Sequence, residues 1–549
     1  MRKELHLKVA ESIEKVFKER LHEFYGMLAY HYSKGEDLDK TEEYMIKAGE
    51  EAMSSSASHE ALRYYQEALR LYLNKYGETA DPEKLAMLEK NIALALYNKG
   101  EMAESLVYFD RVLKRWGIKP PQNKIPILIK LLFDLLVILC HLYLPIKGSR
   151  KVPTQRDKDI FVLSYKKDVA LLVLNTLRLL AETIASAKRI LRFDFKKIEN
   201  WSWTLICISG AFSIVGFFRL SNKVLEYGEG FTDKNNPLEL FPLVQFRLLH
   251  NFYLGKWDNI HDPDELLLEE NLKTGQFFNV VMYYSILGLI KGMQGKFNRA
   301  SQCIGKLSEI ADNYDHKIAR QSQLLLEISL FASRRKLHDA QKALETWESL
   351  FKVGPDMNTI LFLGYKAALQ IQLHDFDGAE KTLNQTKKLF RKQTIVNPSF
   401  ATGYLVSRFF LDLRLLEESI FKNNRADIKR YGQHTSKSIK KSWQNAKKYA
   451  IWRFDTLNMT ARYYWLIGKK RKAVKLWKKT VVEGESLGQR PDLARTYMEI
   501  GKRFLEEKSK YKELNGISAK EYLEKARAMF QEMDLQWDLD ELDKIAAFP

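Results

Sequence analysis

A pair of short helices recurs along this chain at an almost constant interval. The clearest copy covers residues 284–307, where Gly288 lies in a first helix, Gly295 supplies a turn and Ala300 opens a second helix. The first small or apolar position of successive second helices falls every 39 or 40 residues, at Ser221, Ile260, Ala300, Ala340 and Ala379. Because one hairpin cannot cover its own apolar face, such repeats stack on their neighbours and build a solenoid.

The hairpin resembles the tetratricopeptide motif, whose standard period is about 34 residues. We therefore predict an all-α fold, a superhelical solenoid of tetratricopeptide-like hairpins whose stability is a sum of neighbouring interfaces. Four ranges are expected: N-terminal repeats at 1–121, an apolar helical connector at 122–200, a regular array at 201–398, and a basic helical segment with C-terminal repeats and a cap at 399–549.

Three runs near the N-terminus resemble the start of the helical-repeat region in bacterial multidomain signalling ATPases. They are LHLKVAESIEKVF at 5–17, LAYHYSKGEDLDKTEEYMIKAGEEA at 28–52 and EALRYYQEALRLY at 60–72. In that family an AAA-like ATPase of the STAND type, often fused to a class III adenylate or guanylate cyclase or to a Ser/Thr kinase, precedes such repeats. The resemblance implies a regulatory or scaffolding region that presents a concave surface to a protein or peptide.

The same resemblance assigns no enzymatic residue to this chain, because the sequence begins where the family's ATPase would have ended. No phosphate-binding loop is present; the nearest run, from Gly292 to Phe297, has the wrong spacing and lacks Ser or Thr after Lys296. We predict a non-enzymatic protein without a cofactor. It is expected to be either a fragment of a longer ATPase protein or a separate subunit that works with an ATPase made elsewhere.

Two apolar stretches need separate interpretation. Residues 127–144 are long enough to approach the width of a bilayer, but Lys130, Asp134 and His141 fall on one helical stripe, which favours a mostly buried solenoid helix over a membrane span. Residues 201–218 carry no charge and fit a buried hairpin. In the last range we expect two long helices, 400–421 and 427–454, the second interrupted near Gly432.

Composition places the chain among cytoplasmic globular proteins. Its three cysteines, Cys140, Cys207 and Cys303, lie far apart in apolar runs, so no disulfide framework or Cys-based metal site is indicated. The N-terminus lacks the apolar core of a signal peptide. A minor alternative is membrane association through 127–144.

Candidate catalytic or metal-binding groups are sparse. The 11 histidines are dispersed, and neither H-E-x-x-H nor G-x-S-x-G occurs. His31 fits a structural role in its helix. Asp262, Asp264 and Glu265 resemble a cation site in composition only, because acids are common in loops and at helix starts. We predict no catalytic, cofactor or metal residues.

The net charge of +19 is concentrated in one segment, 422–479, which contains 18 lysines and arginines and only two acids, Asp427 and Asp455. Three explanations stay open: a solvated face, a surface for an acidic protein, or a surface for nucleic acid or anionic lipid. Aromatic residues between the cations would suit the last of these. The candidate anion-binding residues are Lys437, Lys440, Lys441, Lys447, Lys448, Lys469, Lys470, Arg471 and Lys472.

Overall fold

Helices make up almost all of the regular structure in the computed structural model, which describes residues 1–120, 124–144, 151–194, 201–262, 264–393, 396–507 and 509–546. The first group comprises α1 (Arg2–Val16), α2 (Tyr25–Gly35), α3 (Leu38–Ser54), α4 (Ser58–Tyr76), α5 (Pro82–Asn98), α6 (Met102–Arg115), α7 (Lys124–Tyr143), α8 (Gln155–Leu174) and α9 (Thr176–Ile190). Short 3-10 turns cover Lys18–Phe24, Gly77–Thr79 and Trp257–Asn259.

The remaining helices follow one another in antiparallel pairs, like those of the first group. The central group comprises α10 (Trp201–Ile214), α11 (Phe218–Glu229), α12 (Pro237–Leu254), α13 (Glu265–Lys273), α14 (Phe277–Met293), α15 (Phe297–Tyr314), α16 (Lys317–Ser333), α17 (Leu337–Leu350), α18 (Met357–Gln372) and α19 (Phe376–Lys392). The last group comprises α20 (Pro398–Phe421), α21 (Arg425–Ala446), α22 (Ala450–Leu466), α23 (Lys470–Leu487), α24 (Arg490–Leu505), α25 (Ala519–Glu532) and α26 (Gln536–Ala546). A small antiparallel hairpin, β1 (Glu513–Leu514) and β2 (Ile517–Ser518), joins α24 to α25.

Local sequence signals set the hairpin boundaries. Helix α5 starts at Pro82 because Asp81 accepts hydrogen bonds from two amides of the first turn and proline suits the first helical position. Between α14 and α15, Gly295 adopts φ 73°, a conformation that a residue without a Cβ reaches easily. Ala300 and Gly288 are buried where helices meet, as the repeat predicts. The predicted all-α solenoid is therefore confirmed.

The hairpins form two layers. From α10 to α22, the first helices of successive hairpins contact one another and make a continuous inner layer, and Arg462 of α22 lies 3.9 Å from Glu499 of α24. Each second helix packs on its own partner and on the next first helix, and so forms the outer layer. This arrangement curves the chain, with α16, α18, α20, α22 and α24, which we call the inner helices, on the concave side.

Successive turns of the superhelix touch each other, which the repeat alone does not predict. The hydroxyl of Tyr449 donates a hydrogen bond of 2.7 Å to the carbonyl of Ile214, 235 residues away in the chain. Lys317 forms an ion pair of 2.8 Å with Glu101, 216 residues away. The expectation that stability is only a sum of neighbouring interfaces is wrong, because these contacts join hairpins a whole turn apart.

Three local predictions are wrong. Ile260 follows a 3-10 turn in extended conformation and does not open a second helix, since Pro263 disfavours a helix just before it. The long helix expected at 427–454 breaks at 447–449 and not at Gly432, which stays helical.

The buried hairpin at 201–218 is confirmed, with α10 buried throughout its described side chains.

The third correction concerns α7, which is mostly exposed and not buried. Only 17% of the residues in its apolar stretch, Ile125–Tyr143, are buried. Of the polar stripe, Asp134 faces the protein and pairs with Lys188 of α9, whereas Lys130 is exposed. The four predicted ranges stay a prediction. Their boundaries at 121 and 200 and the last residues of the expected C-terminal cap, 547–549, lie outside the described residues.

Candidate functional site

A cavity of about 840 Å³ lies on the concave side of the superhelix. All five inner helices contribute to its wall, and α26 closes one side. On each inner helix the lining residues are three or four positions apart, which is one helical stripe. Its aromatic lining residues are Tyr365, Phe400, Tyr404, Phe410, Trp452 and Trp537.

A chain of ion pairs braces one wall of the cavity. Arg462 on α22 donates to Glu417 at 2.6 Å, and Arg503 on α24 donates to Glu499 at 2.8 Å. Burial by itself raises the pKa of Glu499, but Arg503 and Arg462 outweigh it and lower that pKa to about 2. The Glu499 carboxylate is therefore charged, and the ion pairs of Glu499 and Glu417 hold the inner helices in register.

A second charged contact holds α26 in place. The guanidinium of Arg495 on α24 donates two parallel hydrogen bonds to the carboxylate of Asp538, at 2.9 and 2.7 Å. The Nη2 of Arg495, which donates one of these two bonds, also donates to the carbonyl of Ser333 at the end of α16, at 2.5 Å. Asp538 is fully buried. Bidentate pairing of this kind fixes geometry as well as charge, so Arg495 fastens the C-terminal helix over the cavity.

Of the cations that line the cavity, Arg335 and Lys502 form no ion pair among the described residues; Lys502 is exposed, whereas Arg335 is partly buried. It sits in the α16–α17 turn with φ 59° and donates to the side-chain oxygen of Gln372 at 2.6 Å. Its guanidinium lies over the ring of Trp537, 5.2 Å from the centroid, and no carboxylate of the described residues pairs with it. Burial, and then the charge of Arg495, lower its pKa to about 10. An added anion would relieve both effects.

Asp455 is the corresponding unpaired acid. It lines the cavity from α22, and within the described part of the chain it has neither an ion pair nor a hydrogen bond. Burial, and then the charge of Asp492, raise the pKa of this carboxyl well above its usual range. One turn further on, the side-chain oxygen of Asn458 is buried without a donor. This side of the cavity therefore favours a ligand that brings cationic or N–H donor groups.

No cluster of three or more metal-ligating side chains occurs among the residues that the structure describes. The acids considered from the sequence have structural partners: Asp262 lies 3.2 Å from Lys291 and 3.4 Å from Arg299, and Asp264 caps α13. His31 lies against His6, with their Nδ1 atoms 3.0 Å apart. The cavity of the inner helices can bind a ligand through charge, hydrogen bonds and apolar contacts.

The nine predicted anion-binding residues lie outside this cavity, on the outer layer. Lys437, Lys440 and Lys441 are exposed on α21. At its end, Lys447 and Lys448 are exposed, and Lys448 lies close to Gly216 of the preceding superhelical turn. The remaining residues lie at the start of α23, on the opposite edge of the solenoid: Lys469, Lys470, Arg471 and Lys472.

This placement divides the basic segment into two groups. Helix α22, which separates Lys448 from Lys469, has 17 residues and is about 26 Å long, so a short ligand cannot reach both of its ends. Of the aromatic residues interleaved with the cations, Tyr449, Tyr463 and Trp465 are buried in the core, while Trp443 is 38% exposed. The ammonium group of Lys470 lies over the Trp465 ring, 4.6 Å from its centroid. Binding of a polyanion by this segment stays a prediction.

Little in the sequence predicts the cavity, because Arg335 and Asp455 are 120 positions apart. One signal was available. Asp455 is one of only two acids in the basic segment and lies between apolar residues of α22. An isolated acid in an apolar helix of a basic region is a candidate for a binding role, because nothing near it in sequence can satisfy it.

No protein-family model matches this chain, and no curated protein matches its sequence. Solved structures similar to it include the APC/C hetero-tetramer Cut9–Hcn1, with 14% identity over 99% of this chain and 93% of that chain, and a TM-score of 0.39. Yeast Tom70 has 11% identity over 91% and 97%, with a TM-score of 0.34. Scc4 in complex with Scc2n has 9% identity over 92% and 98%, with a TM-score of 0.32. At these values the similarities carry no inference about function.

Proposed function

We propose that this chain is a non-enzymatic protein-interaction scaffold that binds an extended segment of a partner protein in the cavity of the inner helices. The observation that supports this role is that one cavity with aromatic walls holds two unsatisfied groups of opposite type, the guanidinium of Arg335 and the carboxyl group of Asp455. Apart from the exposed Lys502, the other charged groups of the cavity form ion pairs within the described part of the chain, so Arg335 and Asp455 are the partly buried groups that a ligand can satisfy.

The size of the cavity supports a segment and not a folded domain. Its volume of about 840 Å³ falls within the range of about 300–1,000 Å³ typical of ligand sites. A carboxylate of the segment would pair with Arg335, and a basic side chain or N–H groups would face Asp455 and Asn458. The preferred segment therefore carries both an acidic and a basic group beside an apolar or aromatic one.

Two glycines provide a matched test. Gly364 lines the cavity from α18, Gly305 is exposed on α15, and an added Cβ meets nothing within 4 Å at either position. A tryptophan at Gly364 should fill the cavity, whereas a tryptophan at Gly305 should only add surface. A random peptide library displayed on phage is selected on the wild-type chain. The enriched peptides are then measured against Gly364→Trp and Gly305→Trp by fluorescence anisotropy.

We expect the enriched peptides to lose at least about tenfold in affinity for Gly364→Trp, a loss of about 1.4 kcal/mol, and to bind Gly305→Trp like the wild type. Arg335→Met should weaken binding of peptides with a carboxylate more than that of their amide analogues. If no peptide is enriched, or if the enriched peptides bind Gly364→Trp unchanged, the inner cavity is not the binding site.

We further propose that the partner belongs to a bacterial signalling system built on a STAND-type ATPase, with a cyclase or kinase output. The three N-terminal runs between residues 5 and 72 support this context. An ATPase of this type encoded beside the gene should co-elute with the chain in size-exclusion chromatography, and its rate of ATP hydrolysis should change on binding. Separate elution and an unchanged rate would remove the signalling context but leave the scaffold role untouched.

A further inference from the structure

The outward face of α7 is apolar, and most of its exposed side chains lie between residues 125 and 136. Seven of its hydrophobic side chains between 125 and 143 are more than 40% exposed, and Ile125, Ile129 and Leu132 reach 72%, 65% and 67%. The other four are Leu128, Phe133, Leu136 and Tyr143. Lys130 is the single exposed charged side chain described on this helix, and it lies at the edge of the face. An apolar surface of this extent is a contact surface and not a solvated one.

The inward face of α7 is fastened to the protein. Ile127, Asp134 and Ile138 are buried there, and Ile138 belongs to an apolar cluster with residues of α8, α9, α10 and α11. Asp134 pairs with Lys188, whose ammonium also lies over the ring of Phe133. A helix that crossed a bilayer would have to break this ion pair and uncover the cluster. The contacts therefore favour a helix that lies flat against an apolar phase.

The surroundings of α7 are strongly basic. The sequence from 114 to 151 contains eight lysines and arginines and a single acid, Asp134, which Lys188 already neutralises. The exposed apolar face of α7 could in principle be the contact surface for another protein. This excess of positive charge indicates instead a surface that is both apolar and anionic, and a bilayer with acidic lipids has both properties.

A second cavity, of about 370 Å³, lies beside the N-terminal half of α7. Lys119, Lys130 and Arg189 line it, and none of them has an ion-pair partner among the described residues. Burial, and then the nearby Arg192, lower the pKa of Arg189. An anion at this position would therefore be stabilised by three cations that form no ion pair within the described part of the chain.

The acids of this second cavity do not cancel these cations. Glu182 is occupied, because Lys167 lies within 2.5 Å and Arg178 within 2.7 Å of its carboxylate. Asp168 is buried with one oxygen that lacks a hydrogen-bond donor. Burial, and then the charge of Glu182, raise its pKa well above the usual range, which favours the neutral acid. The cavity thus remains suited to a phosphate or carboxylate.

We propose that α7 lies in the plane of an anionic lipid bilayer, with its apolar face among the acyl chains and lipid phosphate groups at Lys119, Lys130 and Arg189. The rest of the solenoid then stands on the membrane, held by this one helix. The role is independent of the peptide site, because the inner cavity lies on other helices and shares no lining residue with the second cavity.

The test is flotation of the full chain with phosphatidylcholine vesicles, with and without about 30% phosphatidylserine, at about 50 mM salt. We expect binding to the acidic vesicles and at least tenfold weaker partitioning to the neutral ones. Hydrogen exchange should show added protection at 124–144 when acidic vesicles are present. This second readout applies to the wild type and does not depend on any variant folding.

Two pairs of variants separate the apolar face from exposed apolar residues in general, and the α7 cations from the basic segment. Ile129→Glu with Leu136→Glu should reduce partitioning at least tenfold, whereas Leu266→Glu with Val482→Glu, which are 72% and 58% exposed elsewhere, should not. Lys119→Ala with Lys130→Ala should reduce partitioning about tenfold or more, and Lys440→Ala with Lys441→Ala should leave it nearly unchanged. Circular dichroism checks the fold of each variant.

Several outcomes would overturn the proposal. Wild-type chain that fails to float with acidic vesicles excludes it. Loss of binding in the Lys440 and Lys441 variant alone would move the lipid surface to the basic segment. Wild-type chain that resists alkaline carbonate extraction would show that α7 crosses the bilayer. A wild-type dimer that does not float and becomes monomeric in the Ile129 and Leu136 variant would show that a second copy covers the face.

Discussion

The backbone amide of Lys317 donates a hydrogen bond of 2.9 Å to the carbonyl of Lys99, and so joins two superhelical turns. Lys99 lies in the turn between α5 and α6, and Lys317 begins α16. The neighbouring Gly100 has φ 77°, and a Cβ built there would lie 2.9 Å from the backbone nitrogen of Ile318. The approach of the two turns is thus close enough to exclude a side chain at residue 100.

Gly100→Ala should destabilise the chain more than Gly468→Ala. Both glycines are in hairpin turns with φ 77°, so both substitutions incur about 1–2 kcal/mol for the left-handed backbone. A Cβ at Gly468 meets nothing within 4 Å, whereas a Cβ at Gly100 collides with the next turn. The extra loss at Gly100 should be about 1–3 kcal/mol in urea unfolding. Equal losses would mean that the two turns separate easily in solution.

Gly288→Leu tests the packing within the regular array. A Cβ at Gly288 lies 3.1 Å from the Cβ of Cys303 and still closer to Leu326, so a leucine would force helices α14, α15 and α16 apart. We expect a loss of about 1–3 kcal/mol. In Gly305→Leu the new side chain points into open space on α15, and stability should stay the same or rise by up to about 1 kcal/mol. Calorimetric melting compares the two variants. An unchanged midpoint for Gly288→Leu would contradict the repeat register.

Substitution by methionine should destabilise the chain strongly at Arg495 of the inner cavity but not at Arg335. Arg495→Met leaves the buried Asp538 without its cation and should cost about 3–5 kcal/mol. Arg335→Met removes a cation that has no carboxylate partner and should change stability by less than about 1 kcal/mol, or increase it. Thermal unfolding of both variants at one pH and salt concentration provides the comparison. A large loss for Arg335→Met would show that Arg335 is structural and would weaken its assignment as a ligand-binding group.

His316 should make the chain less stable in mild acid. It is buried at the start of α16, where its Nδ1 accepts a hydrogen bond of 3.0 Å from the amide of Ala319. Burial lowers its pKa to about 4, below the ordinary value of 6.5. Protons therefore bind the unfolded chain first, so the stability is complete above about pH 6.5 and is lost as the pH falls towards 4.

The variant His316→Asn keeps an acceptor for the Ala319 amide but does not titrate. Between about pH 7 and pH 5 the wild type should lose up to about 2 kcal/mol more than this variant does. Unfolding by urea at the two pH values measures the difference. The other acids and histidines are present in both chains, so their contribution cancels. Parallel pH dependence in both chains would mean that His316 is solvated or already charged.

The hairpins could be predicted from the sequence because their signals are local. Asp81 followed by Pro82 fixes the start of α5, and Gly295 fixes the turn after α14. The break at 447–449 could not be predicted, because it depends on Tyr449 reaching Ile214 in the previous turn of the superhelix. Propensity alone favoured Gly432 as the breaking point, but Gly432 lies within α21 and its carbonyl accepts a hydrogen bond of 3.3 Å from Tyr463.

The candidate site depended on curvature, which no spacing in the sequence specifies. Arg335 and Asp455 share a cavity only because five inner helices bend around it. The exposure of α7 was missed for a related reason. Its polar stripe indicated one partnered face, and Asp134 does have a partner in Lys188, but the sequence does not show that the opposite face would be left uncovered.

The contacts between superhelical turns also bear on how such a chain can change in evolution. In an open solenoid, a hairpin can be duplicated or deleted with only a change in length. Here the loss of one hairpin between Ile214 and Tyr449 would shift every later loop relative to the loops beneath it, and the donor and acceptor now paired would no longer meet. The number of hairpins per turn is therefore under selection together with their sequence, and gains or losses are tolerated mainly at the two ends of the chain.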